Sequence, residues 1–341
     1  MTEQGRSFFQ AIQTAERVLV LDLGFLGDTI HLIPALHELR SALPNATIDV
    51  MAADHVKVIL QVVPGLGEIL GYPRFPKGPR WYQDFGRVSA LRKRRYDAVI
   101  NLNGSDRSSI LTRATGARFR LGRVPPKPAL FWPYCFSHTV DVQHGGRPVF
   151  QQRWECLEQA GFPVSAEPYF NVAVPADIDA SVAEKLSGER GYIHVSPCTT
   201  QDHKELPMGE LISLVDRLIE ADGGQKVVLS CAPNDREREK MLTLLGGLKN
   251  EAWRVFSGDL SLLELAAVMG RATVHFGGDS GALHLALMMN APTVSWFRDY
   301  GGKSEWLPQG PEHATILGVE SPNGLKGISA EGLIAAWQRT S

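Results

Sequence analysis

At 341 residues, with 44% hydrophobic and 21% charged content and no low-complexity tract, the chain has the make-up of a soluble globular protein and the length for two domains, each burying its own core. No apolar run is long enough to span a bilayer, and the first seventeen residues, with Glu3, Arg6, Glu16 and Arg17, hold no continuous apolar stretch of a secretory signal; a cytoplasmic protein is expected, in contact at most with the inner face of the cytoplasmic membrane. The net charge of −2 conceals a basic tract: residues 71–130 carry 14 Lys/Arg against 3 Asp/Glu, a balance of +11 that leaves −13 for the rest and predicts an anionic partner.

Strand and helix signals alternate along most of the chain. "RVLVLDL" reads as a buried strand. From Asp28 to about Leu43, apolar Ile30, Ile33, Leu36 and Leu39 recur at helical spacing, with Pro34 as a kink or irregularity. "ATIDVMA" follows as a second strand and "HVKVILQVV" as a short helix closed by Pro64-Gly65. "YDAVINLNG" is another strand, and "FQQRWECLEQAGF" a helix stopped at Gly161. In such a layered α/β unit, ligand groups are expected at the carboxyl ends of parallel strands.

"EPYFNVAVPADIDA", residues 167–180, breaks the periodicity at Pro168 and Pro175 and reads as the crossing into a second unit. That unit starts with the strand and loop "GYIHVSPCTT" and a helix from Met208 to Ala221. Next come the strand "QKVVLSCA", a charged helix from Asp235, the strand "WRVFSG" and the helix "SLLELAAVMG". "ATVHFGG" leads as a strand into "DSGALHLALMMN", and "APTVSWF" is read as the last strand. The expected fold is α/β, with two doubly wound parallel sheets facing each other. Expected boundaries are 1–175 and 176–325, with a terminal helix in 326–341 packing back on the first domain. Cys135, Cys156, Cys198 and Cys231 show no C-x-x-C pair and no histidine at metal spacing, so reduced, mostly buried thiols are expected.

Three stretches carry chemistry. In "HFGGDSGALHLALMMNAP" a strand ends at Gly277-Gly278, and Asp279-Ser280-Gly281 turns the backbone into a helix with His284 one turn inside. Amides at such a helix start, helped by a serine hydroxyl, suit phosphate oxygens; alternatively, Asp279 only caps the helix and His284 packs in a core. In "SPCTTQDHKELP", Thr199 and Thr200 follow a strand and Lys204 comes four residues later, which suits a departing diphosphate whose charge grows as its bond breaks; an exposed loop lysine is the other reading. Asp28, after the first strand, is either a helix cap or a carboxylate able to accept a proton from a hydroxyl. No G-x-G-x-x-G opens any helix, which argues against a nicotinamide-dependent oxidoreductase.

"LGFLGDTIHLIPALHELRSALPNATIDVMA", "YDAVINLNG", "SPCTTQDHKELP" and "GDSGALHLALMMNAPTVSWF", in this order and spacing, resemble the ADP-heptose:lipopolysaccharide heptosyltransferase family, glycosyltransferase family 9, from about Val18 to Pro311. The resemblance implies a GT-B fold of two Rossmann-like domains with the active site between them. It implies metal-independent, inverting transfer of a heptose or related sugar to a glycan acceptor, lipopolysaccharide inner core being the commonest. No cofactor is implied, the ADP-sugar being a co-substrate, and no nucleic-acid partner. Asp28 would be the general base, and Thr199, Thr200 and Lys204 would hold the donor phosphates, Lys204 also easing ADP's departure. Asp279 would hold the donor sugar's hydroxyls, Ser280, Gly281 and His284 would line its pocket, and Leu260 would contact adenine.

Two departures stand out. Many relatives carry two serines where this chain has Gly24-Phe25, and Trp-Pro where it has Leu206-Pro207. Relatives use basic residues of the first domain to hold anionic acceptor sugars. "RFPKGPRWYQDFGRVSALRKRR" suits that through Arg74, Lys77, Arg80 and Trp81, with His31 a secondary candidate and the run Arg92–Arg95 equally readable as a solvated helix face. Asp177-Ile178-Asp179 is read as a loop of the linker rather than a metal-binding Asp-x-Asp. The rival functions are a GT-B nucleotide-sugar epimerase or hydrolase and a non-catalytic nucleotide-sugar-binding protein.

Overall fold

Val18 to Leu21 are all apolar and wholly buried, so strand β1 (Arg17–Leu21) must be covered on both faces. The computed structural model, which describes residues 7–74, 84–220 and 226–340, sets β1 inside a parallel sheet. Its other strands are β2 (Thr47–Ala53), β3 (Ile69–Tyr72), β4 (Ala98–Asn101), β5 (Phe119–Arg123) and β6 (His138–Val140), in the order β3-β2-β1-β4-β5-β6. β1 pairs with β2 on one side and β4 on the other, so the connectivity reverses beside it. In doubly wound sheets that reversal opens a crevice at the strands' carboxyl ends, where ligands bind.

The second unit repeats the plan. Its strands are β7 (Tyr192–Ser196), β8 (Val227–Cys231), β9 (Arg254–Ser257), β10 (Ala272–Gly278), β11 (Thr293–Arg298), β12 (His313–Ser321) and β13 (Gly324–Lys326). The order is β13-β12-β11-β10-β7-β8-β9, parallel except for the β12–β13 pair, and the reversal falls between β7 and β10. Alternate residues face opposite covers: Ile193 and Val195 join a core with Leu214, Leu218 and Trp296, whereas Tyr192 packs with Val182, Leu186 and Val268.

The chain divides between Ala173 and Val174. Helix Ala176–Lys185 opens the second unit and holds Asp177 and Asp179 in its first turn, so the pair read as a loop is helical. Carboxylates there complement the helix dipole, and Asp179 also binds Arg271 at 2.8 Å. "APTVSWF" is not the last strand, since β12 and β13 follow it. The terminal helix Ala330–Thr340, expected to return to the first unit, buries Ala330, Leu333 and Ala336 in the second unit's core, with the Trp337 ring edge-on to Phe276 at 5.7 Å.

The helix expected from Asp28 to Leu43 is two helices, Leu26–His31 and Ile33–Ala42. Pro34 lies in the first turn of the second, where its missing N–H costs nothing, so it starts a helix instead of kinking one. "HVKVILQVV" winds as a 3-10 helix over Lys57–Val62. The four cysteines are unpaired; Cys135, Cys156 and Cys198 are buried and Cys231 is half-buried.

Candidate active site

Each unit gathers polar side chains at its point of reversal. In the first, β1 runs into Asp22, a wholly buried carboxylate whose Oδ1 accepts the Gly24 N–H at 2.8 Å and the Asn103 side-chain amide, from beyond β4, at 3.4 Å. Arg153, almost wholly buried on helix Val149–Gln159, pairs with the other Asp22 oxygen. Burial raises the Asp22 pKa; Arg153 opposes the rise and Asp28 adds to it.

Asp28 sits above this pair. It is the third residue of its helix and not the cap: its Oδ2 accepts the Phe25 N–H at 2.9 Å, reaching back over the helix start. Arg153 donates to the Asp28 backbone carbonyl and stands 3.7 Å from Oδ1. The Asp28 side chain keeps 27% of its exposure, so the carboxylate is reachable from solvent while its base is clamped. Gly24 makes room for this: a Cβ there would lie 2.2 Å from the Asp28 Cβ.

Arg74, after β3, joins the same loop. It donates to the Leu23 carbonyl, and its guanidinium stacks 4.7 Å over the half-exposed Phe25 ring. His31 is buried edge-on against Phe150 at 5.5 Å. Lys77, Arg80 and Trp81 lie outside the described residues. The basic run divides: Arg92 donates to the Ala114 carbonyl and Arg94 holds Glu68 through two bonds, at 2.5 and 2.8 Å, so both serve the unit's own packing.

In the second unit, Lys204 and Asp279 meet across the reversal, Nζ to Oδ2 at 2.6 Å. The Lys204 loop is stapled from behind. Glu205, nearly buried, accepts the Thr199 N–H at 2.8 Å and is held by Arg236 at 3.1 Å and by Lys240. Thr199 is 2% exposed and its hydroxyl is engaged with both the carbonyl and the N–H of Gln201, so it shapes the loop, whereas Thr200 is exposed. Gly278 lets this loop approach β10, since a Cβ there would lie 2.9 Å from the Thr199 methyl and 2.6 Å from the Trp296 ring nitrogen.

Ser280 precedes helix Gly281–Met288 in extended backbone, yet its side chain makes no capping bond. Its Oγ is buried and has no hydrogen-bond partner among the described residues. A buried unpaired hydroxyl is costly, and beside uncapped helix amides it is a donor prepared for an acceptor the protein does not supply. His284, one turn on, is buried against the Trp306 ring at 5.4 Å. Burial raises the Tyr300 pKa, and the nearby Asp279 charge raises it further. Leu260 is half-buried against the cluster of Val182, Leu186 and Phe256, directly before the Ser261 capping box.

Asp22 and Arg153 went unread in sequence, although Arg153 had a signal. It falls four residues after Val149 and three before Cys156, on the helix stripe that is buried.

A family model described as glycosyltransferase family 9 (heptosyltransferase) matches residues 87–320. The chain is 24% identical over 253 residues to a lipopolysaccharide heptosyltransferase 3 of Escherichia coli, covering 73% of each. A glycosyl transferase family 9 structure from Veillonella parvula superposes with a TM-score of 0.79 at 19% identity, covering 95% of this chain and 97% of that one. The Escherichia coli heptosyltransferase WaaC with ADP-2-deoxy-2-fluoro heptose gives 0.75 at 19%, covering 95% and 100%.

Proposed function

The chain belongs to glycosyltransferase family 9, and from that membership we propose that it moves a heptose from an ADP-sugar to an anionic glycan acceptor of the lipopolysaccharide inner-core type, with inversion at the anomeric carbon. It is a glycosyltransferase built from the two Rossmann-like units of the GT-B fold. The observation that carries the donor assignment is the unpartnered Ser280 hydroxyl at the head of helix Gly281–Met288, with Lys204 and Asp279 beside it. Hydroxyl, amides and ammonium together match a diphosphate, and the adjacent Asp279 carboxylate matches sugar hydroxyls. The WaaC structures named with ADP and with ADP-2-deoxy-2-fluoro heptose supply the choice of nucleotide and sugar.

In the reaction, Asp28 removes the proton of the acceptor hydroxyl as its oxygen attacks the anomeric carbon. The bond from that carbon to the phosphate oxygen breaks, and its electron pair leaves on ADP. Lys204, Ser280 and the first amides of the helix stabilise that developing charge, a task that needs donors already in place. No step is assigned to a metal. Arg74, stacked on Phe25 beside the base, meets the acceptor's negative charge.

The test is ADP release from ADP-heptose with and without a truncated inner-core acceptor, in the wild type and in Asp28→Asn. Release should require acceptor, survive EDTA and fall about 10²- to 10⁴-fold in the variant, the range of a general base, while ADP still raises the melting temperature of both proteins. Acceptor-independent release, or an Asp28→Asn rate within a few-fold of wild type, would overturn the assignment.

A further inference from the structure

From Arg107 to Val140 the sequence has six Lys/Arg and no Asp or Glu. Within it, the segment between β5 and β6 turns apolar side chains into solvent: Leu130 is 96% exposed, Tyr134 80% and Phe131 39%. This is not a loose loop. Trp132–Cys135 is a 3-10 turn, in which residues three apart share a face. Trp132 and Cys135 share the inward face and pack with Phe136, the two rings 4.6 Å apart. Phe131 and Tyr134 share the outward one, with Leu130 leading into it. Arg120 fastens the turn by donating to the Cys135 carbonyl at 2.9 Å, and Pro126, Pro128 and Pro133 stiffen the chain around it.

The surroundings are basic. Lys127, Arg113 and Arg118 are exposed, and the charges acting on the buried Cys135 thiol are Arg113 and Arg120, countered by Asp106. Helix Asp106–Ala114, which packs against the turn, adds Ile110 at 54% exposure. Large apolar side chains held rigidly outward in a cationic field fit a surface with negative charge outside and hydrocarbon beneath.

We propose that Leu130, Phe131 and Tyr134 form a wedge that seats the protein on an anionic phospholipid surface, with Lys127 and Arg118 meeting the headgroups. The cations attract and orient the chain, the wedge enters the boundary between headgroups and acyl chains, and the two signals together give reversible attachment. The lipid here is a surface and not a substrate, so the proposal stands apart from the donor and acceptor assignments.

The experiment is co-sedimentation of the full chain with phosphatidylcholine vesicles, with and without phosphatidylglycerol and free of any glycolipid. Wild type should pellet with the anionic vesicles and be released by salt. The triple variant Leu130→Ser, Phe131→Ser, Tyr134→Ser should lose at least tenfold in partitioning, and Lys127→Glu should weaken it most at low salt. Far-UV dichroism and ADP release with a water-soluble acceptor should match wild type in both, since these side chains serve no core. Equal partitioning of wild type and triple variant, or none by either, overturns the proposal. A wild-type dimer that the triple variant converts to monomer also overturns it, in favour of a second copy covering the patch.

Discussion

The Lys204 ammonium and the Asp279 carboxylate, from loops after β7 and β10, lie 2.6 Å apart. The lysine assigned to the phosphates and the aspartate assigned to the sugar are therefore one unit. On the roles proposed above, donor phosphate would share Lys204 with Asp279. Asp279→Asn should weaken ADP-heptose yet hold bare ADP as well as or better than wild type, because the ammonium is released to the phosphates. Lys204→Met should weaken both about tenfold or more, in line with a charge-assisted bond of roughly 1.5–3 kcal/mol. Titration calorimetry with the two ligands checks the crossover; parallel losses in Asp279→Asn would contradict it.

Gly24 lies against the base of the Asp28 side chain, which leaves no room for a side chain of its own. A side chain at position 24 would collide with the Cβ and Cγ of Asp28, at 2.2 and 2.5 Å. Gly24→Ser should displace the carboxylate and lower kcat at least tenfold, with the KM for donor nearly unchanged because the donor residues belong to the other unit. Phe25→Ser, whose ring is exposed, should instead raise the KM for acceptor by loosening Arg74. Steady-state kinetics on the two variants separates these effects.

Arg153 and Asp22 form an ion pair closed to water. Arg153→Met would strand a buried carboxylate and should cost about 3–5 kcal/mol, whereas the double variant Arg153→Met, Asp22→Asn removes both charges and should recover most of that loss. Urea unfolding of the two variants against wild type measures it. The double variant should stay slow, because Asp28 loses the clamp on its backbone even when stability returns.

His194 and His275 are cross-strand partners in β7 and β10, wholly buried, with their Nδ1 atoms 2.9 Å apart. His194 Nε2 meets the Ser230 hydroxyl at 2.9 Å while His275 Nε2 has no partner among the described residues. A bare lone pair is tolerated more readily than an orphaned N–H, so His275 carries its proton on Nδ1 and donates it to His194. Burial pushes His194 down to about 3 and His275 well below the ordinary 6.5. Between those values the unfolded chain binds more protons than the folded one, so stability falls as pH drops from about 6.5 towards 3. His275→Gln should flatten that slope in urea midpoints recorded from pH 7 to pH 4.

What could be read from sequence follows from how local each signal is. The strand "RVLVLDL" and the turn "HFGGDSGALH" announce themselves through contiguous residues, and both sit where expected. Pro34 was legible only as a kink or irregularity, because one residue serves equally to kink a helix or to start one. Asp177 and Asp179 looked like loop residues because the helix beneath them is held by a contact with Arg271, far along the chain. The support under Asp28 was invisible for a similar reason: Asp22 and Arg153 are 131 residues apart, and only the packing of helix Val149–Gln159 brings them together. Thr199 had the right residue type in the right place, but its hydroxyl is engaged by Gln201 in its own loop.

Both units follow one strand order, and the chain passes from one to the other once, between Ala173 and Val174. Gly24, Phe25, Asp28 and Arg74 all precede that crossing; Lys204, Asp279 and Ser280 all follow it. Inherited change can therefore accumulate separately on the two sides. On the roles proposed above, a chain that keeps its second unit and remodels the first would retain its sugar donor while taking up a new glycan to decorate.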